Sequence, residues 1–265
     1  MAKEVPPVVA ALSARLSQIG FERTRRAVAA LALSVFVSLY LIVALNAPEG
    51  LGAAMVALSI CYGVAFMGVV AEWFWGRWFA SGLGWSGVMV AIAATAMIGW
   101  TPVLAIYGAL HALVVVLLMG KKMAARYDLQ DAWRQRYNMD EFGVERLRKT
   151  VTRAAASLPS LILWALGPKE DGMAFAVTGI AALAFAGLGL RGVVKMRSWG
   201  VLALAGAGVL VAATGHVGTA AFSPDCACHA VASAPAAGAT LALIFLAAAV
   251  LPFVGPMARY LRRRA

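Results

Sequence analysis

Charge is what this sequence has least of. Only 13% of its 265 residues are Asp, Glu, Lys or Arg, and 62% are hydrophobic; a soluble globular domain carries about 25% charged residues. The mean hydropathy is +0.82. Together these values exclude a soluble domain. The short alternating segments of a transmembrane β-barrel are missing too. The apolar runs are instead long and unbroken, several approaching the roughly 20 residues a bilayer-crossing helix needs. The chain reads as an all-α polytopic membrane protein.

Acidic residues are scarcer still. There are twelve, and all fall in loops, tails or boundaries, with Glu72 the nearest to an apolar run. Proton- or sodium-coupled transport usually relies on an ionisable group inside the membrane, so a coupled transporter is disfavoured. There is no Walker A segment, no H-E-x-x-H, no G-x-S-x-G and no pair of intramembrane aspartates. Each missing pattern removes a class of nucleotide-driven, metal-dependent or nucleophilic enzyme. The chain therefore reads as leaning away from catalysis.

Basic residues are present, and their placement is informative. The net charge of +11 comes from Lys and Arg in segments that alternate with the apolar runs. That is the distribution of a protein whose cations stay on the cytoplasmic side, where they also meet anionic lipid; it does not point to nucleic acid. Eight spans with both termini cytoplasmic, in a bacterial-type inner (plasma) membrane, leave Lys169 as the one cation of 23 on the outer side. The spans are expected at about 27–45, 51–71, 84–100, 103–119, 151–166, 173–190, 199–214 and 239–257. The first is too long for a signal-peptide core and Pro48 follows its only small-residue site, so it is expected to be retained. Residues 5–21 place Val5, Val8, Val9, Leu12, Leu16 and Ile19 on one face, as in an amphipathic helix lying on the membrane.

The chain also repeats itself. Glu22-Arg23-Thr24-Arg25-Arg26-Ala27-Val28 leads into the first span, and Glu145-Arg146-Leu147-Arg148-Lys149-Thr150-Val151 leads into the fifth. Met123-Ala124 with Arg126-Tyr127 closes the fourth span as Met257-Ala258-Arg259-Tyr260 closes the eighth, and Trp85-Ser86-Gly87-Val88 is matched with Trp199-Gly200-Val201. This reads as a 4+4 parallel internal repeat about an axis along the membrane normal. Residues 1–120 form the first unit; residues 121–265 form the second, with a long outer loop at 215–238. The polar stretch 121–153 joins them. In it Leu129, Trp133 and Tyr137 make a helical stripe expected to lie on the membrane surface, and Asp140 can cap a following helix. Pro159 is expected to bend the fifth span.

Three constellations could carry chemistry. His111 lies near the middle of the fourth span with Tyr107 one turn earlier, an intramembrane polar pair. It reads as a haem ligand, a proton-relay element or part of a substrate site, or as a neutral histidine bonded to Tyr107 or a backbone carbonyl. Cys226, Cys228 and His229, with His216, form the one metal-like cluster, suited to copper or zinc. Its C-x-C-H spacing is neither a zinc ribbon nor a haem-attachment motif. On an oxidising face its thiols could instead pair within or between chains, or stay free, and a Cys226–Cys228 ring would be strained. Trp73, Trp75, Arg77 and Trp78 read as a lipid-facing interfacial belt, and Cys61 as a small buried apolar residue. Apart from copper or zinc at the cysteine cluster, no cofactor is implied. Three functional readings result: an accessory or scaffolding subunit of a membrane complex, an uncoupled channel or carrier for a lipid or small neutral solute, and a metal or thiol-redox protein. The partners expected are the bilayer and either other membrane subunits or a second copy of the chain.

Overall fold

The computed structural model describes residues 20–48, 50–128, 130–137, 140–167, 172–214 and 227–262, with backbone only for Asp131, Tyr137, 172–175, 227–237 and 257–262. The described residues are helical, with no strand among them. The ten helices are α1 Phe21–Asn46, α2 Gly52–Val70, α3 Gly76–Ile98, α4 Pro102–Leu118, α5 Lys121–Asp128, α6 Asp131–Tyr137, α7 Glu141–Leu166, α8 Gly172–Val194, α9 Ser198–Ala213 and α10 Ala227–Arg262.

Five of these are long and apolar enough to cross a membrane: α1, α2, α3, the 176–194 part of α8 and the 238–256 part of α10. The pair α4 and α5 makes a sixth if taken as one span, although it bends by 74° where Gly120 adopts φ +108°. The structure thus supports a multi-pass membrane protein with five or six candidate spans where the sequence pattern suggests eight. The other two are α7, whose first turns are heavily charged, and α9, whose 16 residues reach only about 24 Å at 1.5 Å per residue.

Several boundaries differ from the sequence expectation, each for a local reason. The third span starts at Gly76, because Trp78 and Phe79 are buried in the core and hold its first turn in place. The fifth is continuous with the polar stretch before it. Asp140 accepts a hydrogen bond from the Gly143 amide at 2.7 Å, a side-chain cap that starts α7 ten residues ahead of Val151. α7 then runs on through Pro159. The last helix begins at Ala227, inside the expected loop, in a stretch rich in alanine, the best helix former. The amphipathic segment expected at 5–21 lies almost wholly outside the described residues.

The helices form two four-helix groups. In the first, α1 packs on α2 and α4, and α3 packs on α2 and α4. In the second, α7 packs on α8 and α10, and α9 packs on the same two. The groups meet chiefly where α3 and α2 touch α7. That seam is tight: a Cβ on Gly82 would lie 2.3 Å from the Thr152 carbonyl oxygen and 2.7 Å from Ala155 Cβ.

Two hairpins, α2–α3 and α8–α9, are built alike at a spacing of 124 residues. Glu72 and Met196 both take left-handed backbone conformations, with φ of +54° and +56°. Around them Trp73 N donates to Gly68 O and Glu72 N to Val69 O; Arg197 N donates to Gly192 O and Met196 N to Val193 O. This is the Schellman ending of a helix. Gly76 then sits on Gly68, and Gly200 on Gly192, with no room for a side chain at the crossing. The sequence carries the same signature twice, Gly68-Val69-Val70 with Trp75-Gly76 and Gly192-Val193-Val194 with Trp199-Gly200. The likeness of the two hairpins sets Trp199 beside Trp75, whereas the sequence reading paired it with Trp85.

Candidate functional site

The core of the first group holds a polar and aromatic cluster. His111 on α4 is fully buried, and both ring nitrogens have partners. Nδ1 lies 2.8 Å from the Tyr107 carbonyl oxygen and Nε2 lies 2.7 Å from the Tyr62 hydroxyl. A carbonyl can only accept, so Nδ1 carries the proton and Nε2 accepts from Tyr62, the pattern of a neutral imidazole. Phe36 packs against the ring, tilted by 38° at 3.9 Å between centroids, and the Tyr40 and Tyr107 hydroxyls pair at 3.2 Å. Gly87 on α3 closes the fourth side. A Cβ there would fall 2.0 Å from His111 Cδ2, so only glycine admits the imidazole at this depth.

The contact between His111 and Tyr107 therefore runs through the Tyr107 backbone, while its hydroxyl turns to Tyr40. The sequence reading singled out neither Tyr40 nor Tyr62. A signal for both was present: Tyr40, Tyr62 and Tyr107 are the tyrosines that interrupt apolar runs, and all three converge on this histidine.

A second polar assembly closes the end of the first group where α1 and α3 start and α2 and α4 finish. The buried Asp128 carboxylate at the end of α5 takes both Nε (3.1 Å) and Nη2 of Arg77, and the Trp78 indole donates to it at 2.8 Å. Arg77 Nη1 also reaches the Leu118 carbonyl at 3.3 Å. Burial pushes the Asp128 carboxyl above the usual range, and Arg77 and Trp78 oppose that shift. Beside them Glu72 pairs with Arg26 and with Arg126, the latter at 3.0 Å. Tyr127 donates to the Val69 carbonyl at 2.8 Å, and Trp133 stacks on Phe74 at 4.3 Å. The first part of the polar stretch is thus folded onto the bundle as a cap. Of the four residues read as a lipid-facing belt, Trp73 is exposed and Trp75 half-buried, while Arg77 and Trp78 lie inside this cap.

The cysteine cluster falls differently. Cys226 and His216 lie outside the described residues, and Cys228 and His229 belong to the backbone-only start of α10. No group of three or more histidine, cysteine or carboxylate side chains that could hold a metal ion is found among the described residues. Cys61 is buried on α2. A groove of about 470 Å³ runs between α3 and α4 and is lined by Val88, Ala91, Thr95, Leu104, Ala105 and Gly108 among others; neither His111 nor Tyr107 lines it. Comparison with family models, with curated proteins and with solved structures found no match for this chain.

Proposed function

We propose that this protein is a non-catalytic scaffolding subunit of a membrane assembly, built as two fused copies of one four-helix unit with eight spans. The two like-built hairpins support the duplication, and so do the ties between first and fourth helix in each group. Arg25 on α1 donates to the Val116 and Met119 carbonyls of α4 at 2.7 and 2.6 Å. Thr150 and Arg153 on α7 donate to the Ala249 and Ala248 carbonyls of α10 at 3.2 and 2.7 Å. On this reading the Arg25, Arg77 and Arg153 end of the spans faces the cytoplasm, as the distribution of cations requires.

The observation that carries the scaffold reading is the closure of the places where a substrate path would run. His111 has a protein partner on each nitrogen, and the seam between the two groups is closed at Gly82 by direct backbone contact. A channel or carrier needs an opening at one or the other. Purification in mild detergent followed by mass spectrometry of co-eluting proteins tests the proposal, with stoichiometric membrane partners expected. A partnerless species that moves a neutral solute across liposomes overturns it.

A further inference from the structure

We propose that the tip of the α8–α9 hairpin is a binding site for one anionic phospholipid, with Arg191, Lys195 and Arg197 on its phosphate and the exposed stripe of α8 along an acyl chain. The proposal goes beyond the scaffold reading and does not depend on it.

The two like-built hairpins differ in charge. At the 124-residue spacing, Met67, Ala71 and Trp73 of the first correspond to Arg191, Lys195 and Arg197 of the second, and Glu72 corresponds to Met196. The first tip has a carboxylate and uses it, since Glu72 pairs with Arg26 and Arg126. The second tip has three cations and no acid. All three are exposed, and none is in an ion pair among the described residues. The carboxylates that do form pairs there, Glu22, Glu72, Asp128 and Glu145, serve other cations. Arg191 and Lys195 lie one helical turn apart, where like charges repel. An anion held between them relieves a cost that the fold leaves open.

The setting selects which anion. Arg191 and Lys195 stand at the end of the candidate span Ala176–Val194, the level at which lipid headgroups lie. Trp199 is 45% exposed, and its ring is held across Gly192, 3.0 Å from the position a Cβ would take. Cations with an exposed tryptophan at the end of a span form an interfacial arrangement. Ile180, Ala184 and Leu188 precede Arg191 and Lys195 on the same exposed face of α8. That face passes from apolar to cationic in the order of a phospholipid's chain and headgroup. A free phosphate would use the cations alone and leave the stripe without a role.

Native mass spectrometry of the full chain, delipidated in detergent and titrated with phosphatidylglycerol or phosphatidylcholine, tests this. One phosphatidylglycerol is expected to bind ahead of further copies and ahead of phosphatidylcholine. Each cation near an anionic headgroup contributes about fivefold in affinity. Arg191→Gln, Lys195→Gln and Arg197→Gln together should therefore weaken that first binding on the order of a hundredfold. Arg23→Gln, Lys121→Gln and Arg146→Gln together remove the same charge from exposed positions elsewhere and should change it by less than about fivefold. Met196→Glu gives the second tip the carboxylate that the first carries in the same backbone conformation, and should weaken the binding by about fivefold or more. Equal losses in the two triple variants would show diffuse attraction and overturn the proposal, as would no preference for phosphatidylglycerol. Inorganic phosphate that displaces the lipid at equal concentration would assign the cations to a free anion and overturn it too. So would unchanged lipid binding in a hairpin variant that loses a co-purifying protein, an outcome in which the scaffold reading stands and the lipid site falls.

Discussion

Replacing Gly87 by alanine tests the account of the His111 site most directly. The added methyl would sit 2.0 to 2.4 Å from three atoms of the imidazole, far inside van der Waals contact, on a ring wedged between Phe36 and Tyr62. Alanine gains up to about 1 kcal/mol over glycine in a helix interior. Against that, overpacking a filled core costs about 1–3 kcal/mol. If the ring swings away, the hydrogen bonds at Nδ1 and Nε2 are left unmade, for about 1–3 kcal/mol more. The net expectation is a destabilisation of about 1–5 kcal/mol, read as a lower temperature for loss of the monodisperse peak in detergent. Gly63→Ala on α2 is the control, since nothing lies within 4 Å of its Cβ position; it should be neutral or slightly stabilising. Gly87→Ala combined with His111→Ala should cost about as much as His111→Ala alone, because the clash has lost its partner. A Gly87→Ala protein as stable as the parent, or strict additivity in the double variant, would refute the geometry.

Asp128→Asn should destabilise by about 3–5 kcal/mol by leaving the buried Arg77 guanidinium without its counter-charge, whereas Arg77→Met with Asp128→Leu should recover most of the loss in the same thermal assay. Tyr62→Phe removes the donor to His111 Nε2 and should cost about 1–3 kcal/mol, with little further effect when His111→Ala is already present. Gly76→Ala and Gly200→Ala should be damaging to a similar degree, since each Cβ would press into its partner helix at 2.3 and 2.4 Å; a large effect at one and none at the other would count against like-built hairpins. The Glu145 carboxyl is held below its usual range by Arg148, with Lys149 adding to it. A depressed carboxylate stabilises above its unfolded pKa and loses that contribution as pH falls through the folded one. Acidification below about pH 4 should therefore lower the amide protection factors in the first turns of α7, and Glu145→Gln should lessen that pH dependence.

The sequence pattern located most spans well, because apolar runs separated by cationic turns leave little freedom in a bilayer. It was weakest where burial and local capping override composition. Residues 121–137 are polar enough to read as a surface-lying segment, yet Asp128, where α5 ends, is a carboxylate that the start of α3 captures. Nothing in the spacing of Asp128 and Arg77 announces a contact across 51 positions. The helix capped by Asp140 was legible in the sequence; what the structure adds is that it runs without a break through Val151 into the fifth apolar run. The α8–α9 hairpin was legible in principle. Its glycine, two valines and tryptophan–glycine step recur without a gap, and they set Trp199 beside Trp75, where matching tryptophans at helix starts alone had set it beside Trp85. His111 was found from sequence as an intramembrane polar residue; its partner Tyr62 comes from another helix, and only the packing of α1, α2, α3 and α4 brings the two together.

The proposed duplication would also bear on what the His111 cluster does. At the hairpin spacing, Tyr62 corresponds to Ala186, Phe36 to Ser160 and Tyr40 to Trp164, all buried in the second group. On the proposed duplication, one helical frame would be filled once around a hydrogen-bonded imidazole and once without a histidine. A frame that packs both ways does not require the polar core in order to form. The cluster instead fixes the register of α1, α2 and α4 in one copy: a buried hydrogen bond is satisfied at one rotation of each helix, whereas an apolar contact tolerates several. Replacing Tyr62 and His111 together by Phe and Leu should then leave the first group folded and its thermal stability within about 1–2 kcal/mol of the parent, as paired removal of buried polar groups allows. Its amide protection on α1 and α4 should nevertheless fall towards that of the second group. Protection unchanged on both helices would show that side-chain packing alone sets their rotation, and that the imidazole contributes nothing to it.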